Sequence, residues 1–130
     1  MQTQKSAQML SEVTMEKNGK TDVDLSSRRC VPCEGGTPPL PEEEVAELLA
    51  RLEGWTREGE AIAKGYEFKN YGQTMAFVNA VAWVAMRQGH HPDLEVGYNR
   101  CRVRFTTHAI GGLSENDFIC AAKVDALLAL

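Results

Sequence analysis

Residues 91–108 read HPDLEVGYNRCRVRFTTH, and this stretch decides the fold. Its pattern has period two. Leu94, Val96 and Tyr98 alternate with Asp93 and Glu95, and Cys101, Val103 and Phe105 alternate with Arg100, Arg102 and Arg104, as half-buried strands require. A tight turn at Tyr98-Asn99 pairs residue 95 with 102 and 93 with 104. That register sets acids opposite arginines on one face and gathers the apolar side chains on the other. It also returns residue 108 to the neighbourhood of residues 89–90. The chain has three histidines, His90, His91 and His108, so the geometry of the hairpin makes them neighbours.

Working outward, YGQTMAFVNAVAWVAMRQG (71–89) predicts the central helix. Met75, Val78, Ala82 and Ala85 form one apolar stripe, with Phe77, Val81 and Val84 forming a second beside it. That arc is wider than a surface helix of a small monomer needs, which suggests that the helix also meets another subunit. Gly89 suits its left-handed C-terminal stop. Downstream, GGLSENDFICAAKVDALLAL (111–130) predicts the last helix, with Ser114 as N-cap and Asp117 three residues later in a capping box. Upstream, TPPLPEEEVAELLARLEGW (37–55) predicts a helix with Pro41 at its first position. Three glutamates follow at the positive end of its dipole, and Gly54 lies beyond its end. TREGEAIAKGYEF (56–68) predicts two short strands turning at Glu58-Gly59, with Ile62, Tyr66 and Phe68 inward. The order α-β-β-α-β-β-α implies an α+β fold, an antiparallel four-stranded sheet with three helices packed on one face.

The expected organisation is a disordered tail over residues 1–29, a lead-in over 30–36 (CVPCEGG) and one domain over 37–130. The tail is polar and mixed in charge, and it has no aromatic residue to bury. A net charge of −4 argues against binding nucleic acid or an anionic membrane. The longest apolar run, AVAWVAM (80–86), is too short to cross a bilayer. Cys101 and Cys120 fall on apolar faces and read as small core residues. Cys30 and Cys33 have the spacing of half a zinc site, but no second such pair exists, and the favoured reading is a plain anchoring segment.

Three histidines invite a zinc reading, yet adjacent residues point apart on a strand and about 100° apart on a helix, so His90 and His91 are poorly placed to share a metal. No serine stands in a nucleophile elbow, and AIGGLSEN lacks the lysine of a phosphate loop. Metal-free acid–base chemistry fits better, because imidazole gives and takes protons near neutrality. The plain alternative is three unrelated hydrogen-bonded histidines. Asp117 is explained by helix capping alone, and the arginine ladder by ion pairing on a solvated strand face.

Residues 30–130 resemble the pterin-4a-carbinolamine dehydratases. The segments CVPCEGGTPPL, LEGW, AFVNAVA, GHHPDLEVGYN and THAIGGLSENDFICAAKVDAL carry the likeness. Its most specific part is His90-His91-Pro92, then Tyr98, His108 and Asp117. The resemblance implies dehydration of 4a-hydroxytetrahydrobiopterin to the quinonoid dihydropterin. His90, His91 and His108 then move the protons, and Pro92, Tyr98 and Asp117 contribute to substrate binding. It further implies a cytoplasmic homodimer or homotetramer with no cofactor and no metal. The chain departs from the family pattern at Met86, where a polar titratable residue is usual. It departs also at Gly89, Leu94 and Asn116, where some members carry an acid, an aromatic and an arginine. These departures keep a second expectation open: an inactive relative acting as a protein-binding module, such as an assembly factor for Rubisco subunits, with association to carboxysomes.

Overall fold

In a computed structural model of the protein, residues 24–129 are described. The elements are α1 (Glu42–Leu49), β1 (Thr56–Glu58), β2 (Ala61–Glu67), α2 (Tyr71–Gln88), β3 (Asp93–Val96), β4 (Arg100–Phe105) and α3 (Glu115–Leu127), with short 3-10 turns at Leu25–Ser27 and His108–Ile110. The strands form one antiparallel sheet in the order β1-β2-β4-β3. This is the α+β arrangement read from the sequence.

The hairpin has the expected register. Asp93 lies opposite Arg104 and Glu95 opposite Arg102, while Leu94 lies opposite Val103 and Val96 opposite Cys101. The turn closes through Gly97 N–H donating to Arg100 O at 2.8 Å, with Tyr98 and Asn99 at its centre. Along β4, Cys101, Val103 and Phe105 are buried, and the three arginines that alternate with them face the polar side. There Arg102 pairs with Glu58, and Arg104 reaches Asp93 at 3.5 Å. On the apolar side Ile62, Tyr66, Val103 and Phe105 meet Phe77 and Val81 of α2 and Phe118, Ala121 and Val124 of α3 in one core. Asp125 anchors the rim of that core. It accepts bonds from Trp55 Nε1 at 3.1 Å, Lys64 Nζ at 2.9 Å and the Tyr66 hydroxyl.

Three local differences from the sequence reading have physical causes. Pro41 is the N-cap of α1 and not its first helical residue, with ψ at 155°, and Glu44 and Val45 donate to its carbonyl. The β1–β2 turn falls at Gly59-Glu60, one residue late, because Gly59 takes the left-handed conformation (φ 62°). The expected tail boundary at residue 29 is also too late. Asp24 caps the turn Leu25–Ser27, and Leu25 is 4% exposed in the core. The rest of the expected tail, residues 1–23, lies outside the described residues.

Helix α2 is narrower in its burial than its apolar arc. Thr74, Phe77 and Val81 are buried, whereas Trp83 and Met86 are 61% and 77% exposed. No helix among the described residues is long and apolar enough to cross a membrane.

Candidate functional site

The three histidines are delivered by the ends of three elements. Helix α2 stops at Gly89, whose φ of 66° is the left-handed stop that a residue with a Cβ adopts only with strain. The chain turns there with His90 N–H donating to Ala85 O at 3.2 Å, and His90 and His91 follow at once. From the far strand, the loop after β4 is pinched by the pair Thr107–Gly112. Gly112 is tight against Pro39, where an added Cβ would stand 2.9 Å away. The turn His108–Ile110 sits in that pinched loop. All three histidines line one cavity of about 370 Å³, within the usual size of a small-molecule site. A cavity of about 390 Å³ beside Phe77 and Leu127 has no ionisable lining, and one of about 320 Å³ beside Arg28, Glu44 and Glu115 is lined by acids and arginines but by no histidine.

His90 is the fixed member. Its ring lies nearly parallel to Phe105, centroids 5.9 Å apart, and its Nε2 is 2.6 Å from Asp117 Oδ1. Asp117 is fully buried. Its other oxygen accepts from Ser114 N–H at 2.9 Å and from the Thr107 hydroxyl at 2.7 Å. With the Thr107 proton committed to the carboxylate, the 2.8 Å contact between the Thr107 and Ser114 hydroxyls has Ser114 donating. Capping therefore explains one oxygen of Asp117, and His90 uses the other. Burial disfavours charge on His90, but the hydrogen bond and charge of Asp117, helped by Cys30, outweigh it and hold the imidazole's pKa above its ordinary value. A charge-assisted bond of this kind contributes about 1.5–3 kcal/mol.

The other two imidazoles are looser. His91 is exposed, with Nδ1 3.4 Å from Pro92 O, and the exposed His108 side chain has no hydrogen-bond partner among the described residues. The cavity thus holds one imidazole biased toward the cation and two exposed ones that no carboxylate holds among the described residues.

Of the further expected contacts, Asp117 stands behind His90 and outside the cavity lining, and Pro92 also lies outside that lining. Tyr98 is at the opposite end of the hairpin, 65% exposed and stacked on Tyr71 with centroids 6.2 Å apart. Strands of four and six residues rising about 3.4 Å per residue separate the two ends, so Tyr98 does not reach this cavity. Met86 points away from the cavity and into the open. The buried carboxylate that holds His90 comes from α3 and leaves position 86 no part in it.

Sequence reasoning missed the strap. Residues 31–33 form one wall of the cavity. Asn116 holds them there through its Nδ2, which donates to Val31 O at 2.6 Å, and its Oδ1, which accepts from Val31 N–H at 3.1 Å. Gln88 Oε1 accepts from Cys30 N–H at 3.0 Å. These ties span 58 to 85 residues and leave no periodic trace in the sequence; the only hint was a side-chain amide at the start of a helix. Among the described residues no group of three or more His, Cys, Asp or Glu side chains is placed to hold a metal ion.

Residues 38–127 match the family model described as pterin 4 alpha carbinolamine dehydratase. A protein of Nitrosomonas eutropha is 66% identical over 106 residues, 81% of this chain and 94% of that one. One of Nitrosospira multiformis is 62% identical over 104 residues, 80% of this chain and 92% of that one. Both bear the name "Putative pterin-4-alpha-carbinolamine dehydratase". A crystal structure of a transcriptional coactivator/pterin dehydratase from Brucella melitensis superposes with a TM-score of 0.66. It is 34% identical and covers 68% of this chain and 97% of its own. A pterin dehydratase-like protein identified as a RuBisCO assembly factor in the alpha-carboxysome superposes with a TM-score of 0.51. It is 29% identical and covers 58% of this chain and 89% of its own.

Proposed function

Because this chain belongs to the pterin-4a-carbinolamine dehydratase family, we propose that it dehydrates 4a-hydroxytetrahydrobiopterin to the quinonoid dihydropterin by histidine acid–base catalysis. The observation that carries the reading is the convergence of His90, His91 and His108 on one cavity, with His90 held toward the cation by a buried carboxylate. The reaction breaks the C4a–O bond and removes a proton from N5. The departing hydroxyl needs a proton, and His90, whose charge Asp117 supports, donates it from its remaining ring N–H. A neutral imidazole, His91 or His108, takes the N5 proton, and the two transfers together release water. No metal enters this scheme, since the leaving group is activated by protonation. Positioned acid and base groups of this kind contribute about 10²–10⁴-fold each.

A second reading keeps the fold without the chemistry: a module that binds another protein, such as a Rubisco subunit. It is favoured by the superposition on the assembly factor and by the exposed Trp83 and Met86 on α2. In the first reading the same exposed stripe seats a second copy of this chain as a homodimer or homotetramer. We favour the enzyme because the groups that would transfer the protons are all present.

Ligand binding separates the two readings. The chain has three histidines, so its imidazole NMR signals assign readily. Titration with 7,8-dihydrobiopterin, a pterin that cannot be dehydrated, is expected to shift all three together. Unmoved imidazole signals at saturating pterin contradict the proposed site.

A further inference from the structure

The sulfur atoms of Cys30 and Cys120 are 3.5 Å apart, although 90 residues separate them in the chain. The CVPC spacing suggested that Cys30 and Cys33 act together, yet they face different partners. Cys30 turns inward onto Cys120, while Cys33 lies by Asn116 Nδ2 at 3.5 Å. Cys120 is fully buried on α3, one turn after Asp117, and Cys30 is half-buried on the strap. We propose that Cys30 and Cys120 are an oxidisable pair that a hydroperoxide closes to a disulfide, fastening the Cys30–Cys33 strap to α3 beside His90.

The geometry assigns the roles. Cys30 is the thiol that solvent reaches, and Cys120 can resolve it only from within. Electrostatics agree: the Cys120 S–H bonded to Cys30, with His90 and Lys123 nearby, lowers the Cys30 thiol against the opposing effect of its burial. The same bond and deeper burial push Cys120 up, so the accessible partner is the more readily ionised of the two. In the first step the Cys30 thiolate attacks the peroxide; an S–O bond forms, the O–O bond breaks, and the released oxygen leaves protonated as alcohol or water. In the second, the Cys120 sulfur displaces the hydroxyl of the Cys30 sulfenic acid. The S–S bond forms, the S–O bond breaks, and the Cys120 proton leaves with the hydroxyl as water. Two thiols lose two electrons and two protons, and the peroxide takes them up. The sulfurs must close from 3.5 Å to about 2.0 Å. Neighbouring Val31 is already held to α3 by Asn116, so this short approach tightens an existing contact. Residues 31–33 wall the histidine cavity, and oxidation therefore fixes one side of the site. The inference stands whether or not the chain is a dehydratase.

The test exposes the full chain, and its Cys30→Ser, Cys33→Ser and Cys120→Ala variants, to hydrogen peroxide before non-reducing mass spectrometry. The expected result is a loss of about 2 Da that a phosphine reverses, with Cys30 and Cys120 in one linked peptide. Cys33→Ser should keep the loss, and the other two variants should abolish it. Amide exchange at Val31 and Cys33 should slow by about tenfold or more on oxidation, as expected of a covalently tied segment. A Cys30–Cys33 link, sulfinic acid accumulating on Cys30 in the native chain, or no reaction overturns the pairing. A Cys30–Cys120 link that leaves exchange at Val31 and Cys33 unchanged overturns the fastening. Cys30→Ser on the half-buried strap keeps the test independent of the buried Cys120→Ala.

Discussion

Replacing Asp117 by Asn tests the link between fold and chemistry at one buried atom. The amide keeps the carboxylate's shape, and its single oxygen can still accept from Ser114 N–H and the Thr107 hydroxyl. Its NH2 then faces His90 Nε2, 2.6 Å away in the native chain, where a protonated imidazole also presents a donor. The ring must become neutral and accept from the amide, and the charge-assisted bond is lost. With Asp117 fully buried no water compensates, so the expected cost is about 2–3 kcal/mol. For a domain of this size that lowers the thermal midpoint by roughly 8–20 °C. The pH dependence gives the sharper signature. The pKa of His90 is raised in the folded state, so the folded chain binds more protons and the bond's stabilisation falls as pH rises. The stability gap between wild type and Asp117→Asn should be full below the ordinary histidine value of 6.5. It should narrow as pH climbs through the raised value. Denaturant unfolding of both proteins between about pH 5.5 and 9 spans this window. In the dehydration assay the variant should lose about 10²-fold or more in kcat, with its alkaline limb moved to lower pH. A gap that stays constant with pH, or wild-type turnover in the variant, would refute the assigned partnership.

Three further outcomes follow from the geometry. Asn116→Ala removes both ties to Val31; it should raise KM for the carbinolamine about tenfold, equivalent to about 1.4 kcal/mol, and leave kcat within about threefold. Met86→Glu adds a charge outside the cavity lining but on the stripe proposed to seat a second copy, so steady-state kinetics should change less than about twofold while the oligomer, read by analytical ultracentrifugation, dissociates more readily. Asp125→Ala strands Trp55 Nε1, Lys64 and Tyr66 at the rim of the core; denaturant unfolding should register a loss of about 2–3 kcal/mol, while activity per folded molecule is retained.

What was legible in the sequence was whatever repeats or sits close along the chain. Strict alternation in β3 and β4 set their register, because a slip of one residue would expose Val103 and bury the arginines. Ser114 and Asp117 announced the start of α3 because a capping box spans only three residues. The convergence of the histidines followed from the hairpin register. The remainder depends on distant contacts that carry no periodicity. Leu25 enters the core across the sequence from α3, Asn116 clamps a strap 85 residues away, and Cys30 finds Cys120. Asp117 was half read, since a local pattern explains one carboxylate oxygen and is silent about the other. Tyr98 was misplaced for the opposite reason. It is near the histidines in the sequence motif, but a hairpin carries its turn away from its open end.

The most direct measurement is the dehydration rate of freshly generated 4a-hydroxytetrahydrobiopterin with the wild-type chain and with His91→Ala, each against the uncatalysed reaction. His91 is exposed and makes one long contact, to Pro92 O, so its truncation tests chemistry without disturbing the fold. The account expects clear acceleration by the wild type and a loss of about 10²-fold or more in His91→Ala or, where His108 is the base, in the matching His108→Ala variant. Equal rates for wild type, variant and buffer would contradict it and leave the cavity as the scaffold of a protein-binding module.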